Sequence, residues 1–183
     1  SRRELAKVQG RFEEIMFVEN PAETRRLVAE LFKPIGKGLQ KDANRWVKEK
    51  SAAMTAAGLA EVLEEEVLGK SFPLHPMNLA CLPELCSRFA QNDRTLFAYL
   101  GSGDPRSVAT FIDQVDWNPP KKISLARLDH LYDYFVESVS TSISTSDLSS
   151  RWIEIETRIR DTAGLSLIEV SVLKTIGILN LIS

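Results

Sequence analysis

The sequence predicts an all-α chain, an irregular bundle of about eight helices with at most one or two short strands near its N-terminus. Three observations carry that expectation. Apolar residues recur at three- and four-residue spacing, as in Leu128, Leu131, Tyr132 and Phe135. Helix-start chemistry stands at segment heads, as in Asn20-Pro21 and in Ser166 followed by Glu169. Proline and glycine breakers separate the segments: Pro34, Gly36 and Gly38, then FPLHP, then WNPPKK. At 183 residues the chain can bury one sizeable core or two small ones. A net charge of −2 gives it no general attraction to nucleic acid or anionic membrane.

Taken in order, Phe12, Ile15, Phe17 and Val18 mark a short strand over 12–18. Asn20 caps the helix that follows, with Pro21 in its first position and Glu23 in its first turn. Leu27, Val28 and Leu31 are expected to be its buried stripe. A second helix over 39–54 aligns Leu39, Ala43, Trp46 and Val47. A third, over 58–68, buries Leu59, Val62, Leu63 and Val67 and leaves three glutamates as a solvated face. Pro76 starts a helix that Pro83 must kink or restart. The next helix, over 91–100, takes Asn92 as its cap and Leu96, Phe97 and Leu100 as its apolar face. GSGDPRS is an ordinary turn before a short helix over 107–115. WNPPKK is another turn, with an extended residue before each proline. A longer helix carries Leu125, Leu128, Leu131, Tyr132 and Phe135.

The serine-rich run 140–150 is the expected linker. It divides residues 1–139 from a helical pair over 151–183. Gly164 ends the first helix of that pair in the C′ position. A capping box, Ser166 with Glu169, opens the second. The broad apolar surface of this last helix (Leu167, Val170, Leu173, Ile176, Ile178, Leu179, Leu181) predicts burial on most sides.

No stretch matches a phosphate-binding loop: IGKGLQ has the wrong spacing, and GSGDPRS lacks the lysine. His75 and His130 have no partner at metal-ligand spacing, so no metal site is expected. His75 belongs in a helix-start turn and His130 half-exposed on its helix. Cys81 and Cys86 read as buried thiols of a reducing, cytoplasmic compartment. A nucleophilic cysteine is the weaker alternative for them. The N-terminus has no signal-peptide core, no run reaches the length of a membrane span, and the missing initiator Met suggests a processed chain or a fragment. The chain alone therefore shows no complete active site.

GRFEEIMFVENPAETRRLV, residues 10–28, resembles the segment that closes the nucleotide-binding domain of AAA+ ATPases. There a Gly-Arg-Phe tripeptide precedes the last core strand and a proline-started, arginine-containing helix follows. FPLHPMNLACLPELCSRFAQNDRTLFAYL, together with LYDYF and LKTIGILNL, is similar to the helical region downstream of the nucleotide domain in large bacterial P-loop ATPases, some associated with phage defence or restriction. The resemblance implies the end of a nucleotide-binding core plus a helical lid within 1–139. It implies ATP and Mg²⁺ in the parent but no cofactor in this fragment, because the P-loop and the acidic Mg²⁺ strand are missing. Arg11 would inherit a trans-acting role on a neighbouring subunit's nucleotide. Arg94 would reach the phosphates from the lid, where free helix-start N–H groups also favour an anion. The partners implied are a neighbouring ATPase core or subunits. The last helix resembles the opening of a winged helix.

Each reading has a plainer counterpart. Arg94 can instead pair with Asp93, Asp104 or Glu84. Arg151, Arg158, Arg160 and Lys174 are too scattered to track a phosphate backbone, so nucleic-acid binding is left open. The last helix can simply pack into the bundle. The competing function is a non-enzymatic interaction module that docks a protein through exposed apolar side chains of the last helix, or through Trp117-Asn118-Pro119-Pro120.

Overall fold

A computed structural model of the chain describes residues 20–32, 37–58, 63–89, 96–117, 123–141 and 147–183. Among them are nine helices: α1 (Pro21–Leu31), α2 (Lys37–Ala56), α3 (Glu65–Lys70), α4 (Pro76–Phe89), α5 (Leu96–Gly101), α6 (Val108–Gln114), α7 (Leu128–Thr141), α8 (Asp147–Asp161) and α9 (Leu167–Ile182). The chain is all-α as its periodicity predicts. The described residues hold no strand, only an isolated parallel bridge between Leu74 and Ala126. The strand expected over 12–18 lies outside them.

α1 starts as its sequence dictates. Asn20 Oδ1 accepts from the Ala22 N–H at 3.0 Å, with Pro21 in the first turn where its missing donor is harmless. Its buried stripe is not the expected one. Thr24, Val28 and Ala29 face inward, while Leu27 and Leu31 stay half-exposed. The axis is rotated toward α3 and α4, which hold α1 from one side. α2 buries Ala43, Val47 and Met54, and Gly58 follows it with φ +72°.

The third helix is much shorter than the sequence suggests. Glu64 is extended, with φ −69° and ψ 142°, so α3 begins only at Glu65. Leu63 is buried ahead of the helix rather than within it. The acidic run is solvated but tied. Glu64 pairs with Arg26, and Lys70 bridges Glu30 at 2.8 Å and Glu66 at 3.0 Å. These exposed pairs set the α1–α3 register and add little stability.

α4 lies among α1, α5, α7 and α9. It runs on through Pro83 without restarting; the missing N–H leaves the Leu79 carbonyl without its helical donor. Leu79, Leu82 and Leu85 are fully buried. Against them stands α7, whose Leu131, Tyr132, Tyr134 and Phe135 are almost wholly enclosed. Leu125 precedes α7 and is half-buried. In α5 the inward residues are Leu96, Tyr99 and Leu100, and Phe97 points out, contrary to the expected face. The reason is the Tyr99 hydroxyl, which is drawn inward to Asn78 at 2.8 Å.

The serine-rich run is shorter as a connection than expected. α7 reaches Thr141 and α8 begins at Asp147. α8 and α9 share the core of the rest: Trp152, Ile178 and Leu181 are fully buried, and α9 touches α7, α8 and α4. At Gly177 the backbones come close, since a Cβ there would sit 2.8 Å from Ile155 Cγ2.

Burial sets the protonation of both histidines. His75 Nδ1 accepts from the Met77 N–H at 3.1 Å, fixing it in the helix-start turn as expected. His130 Nδ1 lies 3.1 Å from the Tyr99 hydroxyl, which already accepts from Asn78 and so has its own hydrogen for the ring. Burial pushes both pKa values down, and for His130 this outweighs the nearby Asp129 and Asp133 carboxylates. The folded pKa therefore lies below the unfolded value of about 6.5. The unfolded chain binds the proton first, so stability is whole above about 6.5 and falls as pH drops toward the folded pKa. The melting temperature is expected to fall between pH 7.5 and pH 5.5. A His75→Asn/His130→Gln variant should flatten that slope in a thermal melt read by circular dichroism. An equal slope would contradict the assignment.

Candidate functional site

Arg11 and Arg94, with Asn92 and Asp93, lie outside the described residues. The carboxylate neighbourhood expected for Arg94 is partly defined. Glu84 is ion-paired with Arg88 at 2.8 Å. Asp104 organises its own turn, where its side chain accepts from the Arg106 N–H at 2.9 Å and its carbonyl from Thr110 Oγ1 at 2.8 Å. GSGDPRS is thus a hydrogen-bonded turn that ends by capping α6 through Ser107.

The other sequence candidates resolve locally. Cys81 and Cys86 are buried free thiols. Burial pushes Cys81 up to about 11, which leaves almost no thiolate near neutral pH. Trp117 is half-buried against the Phe72 ring at 5.7 Å, and its Nε1 donates to the Ile112 carbonyl at 2.8 Å. It anchors the end of α6 and does not protrude; residues 118–120 lie outside the described set. Arg158 pairs with Glu154 and Arg160 with Glu156. Arg151 donates to the Asn180 carbonyl at 2.9 Å, and Lys174 meets Asp133 at 2.6 Å. Among the described residues no group of His, Cys, Asp or Glu is placed to hold a metal.

The feature that stands out is α9. Its start is a complete capping box, Ser166 with Glu169, as the sequence indicates. Its end is gripped by Arg88, whose guanidinium donates to the Leu181 carbonyl at 2.6 Å and the Ile182 carbonyl at 3.2 Å. A cation on the last carbonyls also suits the helix dipole. The core-facing side carries Gly177, Ile178 and Leu181. It also carries polar side chains that reach α7: Ser171 Oγ donates to Asp129 at 2.5 Å, and Lys174 extends over the Tyr132 ring to Asp133. Burial works against the Asp129 carboxylate, but hydrogen bonds from Ser171 and Arg127 outweigh it and hold its pKa low.

The outward side is the apolar one. Ile168 (77% exposed), Val172 (51%), Ile176 (47%) and Leu179 (37%) lie in one row at spacings of four, four and three. Leu167 adds an almost fully exposed side chain at the helix start. The expectation of burial on most sides is therefore corrected. Ile178 and Leu181 are buried, Leu173 is half-buried, and Leu167, Ile176 and Leu179 are exposed. Through Ile176 the row continues into a groove of about 480 Å³ between α8 and α9. Its floor is Ile155, Ile159, Leu173 and Gly177, and Arg151, Glu154 and Arg158 lie along its α8 side.

A second concavity lies between α2 and α3. Gln40 Nε2 donates there to the Gly69 carbonyl at 2.6 Å and to Asn44 at 3.1 Å, closing the two helices together.

Comparison with known proteins finds no matching family model, no matching curated protein and no matching solved structure. The architecture defines the class, an all-α multi-helix bundle. No helix among the described residues is long and apolar enough to cross a membrane.

Proposed function

We propose that this protein is a non-enzymatic helical interaction module that docks another protein chain through the outward face of α9. One observation carries it. A surface helix ordinarily turns its polar side to water and its apolar side to the core. α9 turns Ser171, Lys174 and Gly177 toward α7 and α8 and leaves Ile168, Val172, Ile176 and Leu179 outside. Isolated surface leucines need no explanation, but a row continuous with an apolar groove is the pattern of an interaction site.

A photo-crosslinking residue at Val172 tests it, with the same residue at exposed Lys48 as the control. In an extract of the cells that make the protein, position 172 should give defined protein adducts and position 48 should not. Equal adducts, or none at 172, would overturn the docking role.

The lid role for Arg11 and Arg94, with ATP and Mg²⁺ in a parent ATPase, is a separate proposal supported by sequence resemblance. Arg94→Ala in a chain that carries its P-loop should abolish ATP turnover; unchanged turnover removes Arg94 from the mechanism.

A further inference from the structure

We infer that the occupant of the α9 face is a second copy of this chain, packed antiparallel across a two-fold axis near residues 173–174. This rests on the docking role of α9 and names its partner.

Area is the first support. Ile168, Val172, Ile176 and Leu179 together expose an apolar strip on the order of 350–400 Å². One side of a standard interface buries about 800 Å², of which roughly 60% is apolar. The row therefore supplies most of the apolar area that one partner of a stable dimer needs, and Ile155 and Ile159 in the adjoining groove lie beside it to add to that area.

The order of the row is the second. A two-fold interface must be complementary to itself. Reversing the row about its centre sets Ile168 opposite Leu179 of the partner subunit, and Val172 opposite Ile176 of the partner subunit. Each apolar side chain then meets another of similar size.

Charge is the third. Lys174 is turned inward to Asp133. Glu169 is the one ionisable side chain left on the outward flank of α9, and its carboxylate is already held by the Ser166 N–H at 2.8 Å. Along the α8 edge of the adjoining groove stand Arg151 and the Arg158–Glu154 pair, so the charges around the row are mixed and select neither a strongly acidic nor a strongly basic partner. In the antiparallel arrangement Glu169 lies beside Asn180 of the partner subunit, so like charges are not opposed. The N-terminus of one α9 also neighbours the C-terminus of the other, which the helix dipoles favour.

The test is the mass of the full chain in solution, by light scattering and sedimentation equilibrium over the micromolar range. The wild type should give twice 20.5 kDa. An Ile168→Ser/Val172→Ser/Ile176→Ser variant, altered only on outward positions, should give the 20.5 kDa monomer with unchanged helicity. Ile153→Ser, which removes an exposed side chain from α8 outside the groove, should stay dimeric. A wild-type monomer up to 100 µM overturns the dimer whatever the variants do. A dimer that survives the triple substitution with its helicity intact overturns the seam. The crosslink at Val172 separates the two levels of the inference. An adduct between two copies supports both. An adduct to a different protein keeps the docking role and sinks the dimer. No adduct, with a monomeric mass, sinks both.

Discussion

Trp152→Ala is expected to destabilise the protein by about 3–5 kcal/mol, the range for removing a fully buried large aromatic. Trp152 has no exposed surface. Its ring lies 5.5 Å from that of Tyr132 and 6.3 Å from that of Phe135, so it seats α8 on α7. Tyr132 in turn donates to Glu156 at 2.6 Å, one turn further along α8. Deleting the indole leaves a cavity where α7 and α8 meet, beneath the face that supports α9. For a chain of this size each kcal/mol moves the melting temperature by roughly 2–4 °C, so a fall of about 6–20 °C is expected. The way it melts matters as much. Residues 151–183 share one core with α4 and α7, so circular dichroism and tryptophan fluorescence should still report one coincident transition. Two separated transitions would mean that the C-terminal pair is an independent unit.

Asn78→Leu is expected to cost about 1–3 kcal/mol despite the same side-chain branching. Asn78 is fully buried. Its Nδ2 reaches the Tyr99 hydroxyl at 2.8 Å, the Ala126 carbonyl at 3.0 Å and the Arg127 carbonyl at 3.3 Å. One amide thus ties α4 to α5 and to the segment that leads into α7. Leucine would leave the Tyr99 hydroxyl short of its donor, while the Ala126 and Arg127 carbonyls keep only the His75 and Leu131 N–H groups. Tyr99→Phe alone should cost less, about 1 kcal/mol, because Asn78 keeps its two carbonyls. The double variant should be less destabilised than the sum of the singles, since they share a bond. Urea titration of the four proteins measures this. An Asn78→Leu variant within 0.5 kcal/mol of wild type would show that the network adds nothing, with 0.5 kcal/mol as roughly the scatter of ordinary surface changes.

Local chemistry made much of the fold legible. Caps are short-range, so Asn20-Pro21, Ser166 with Glu169, and Pro76 each start a helix where the sequence places one. The core of α7 follows from spacing, because Leu128, Leu131, Tyr132 and Phe135 all turn inward. Choices between two apolar sides were not legible, because they depend on which neighbour arrives. Leu27 against Thr24 in α1, and Phe97 against Tyr99 in α5, are decided by tertiary partners. α9 is the extreme case. Apolar residues surround it, so periodicity alone gives no inward direction. The direction comes from long-range bonds that spacing does not encode: Ser171 to Asp129, Lys174 to Asp133, and Arg88 to the last carbonyls. The sequence did hold one clue to the outward row. Ile168, Val172, Ile176 and Leu179 lie on one side, and Gly177, where a close helix approach needs no side chain, lies away from it. Arg11 and Arg94 lie outside the described residues, and their proposed lid roles rest on motif resemblance.

The most direct check on the orientation of α9 is the rate at which engineered cysteines react with a thiol probe in the folded chain at sub-micromolar concentration. The native Cys81 and Cys86 are buried and should be slow. Val172→Cys should react nearly as fast as in denaturant, and Ile178→Cys should be slowed by orders of magnitude. As the protein is concentrated, position 172 should become protected while position 178 does not change. Equal reactivity at 172 and 178, or a protected 172 at the lowest concentration, would contradict an outward apolar face on α9.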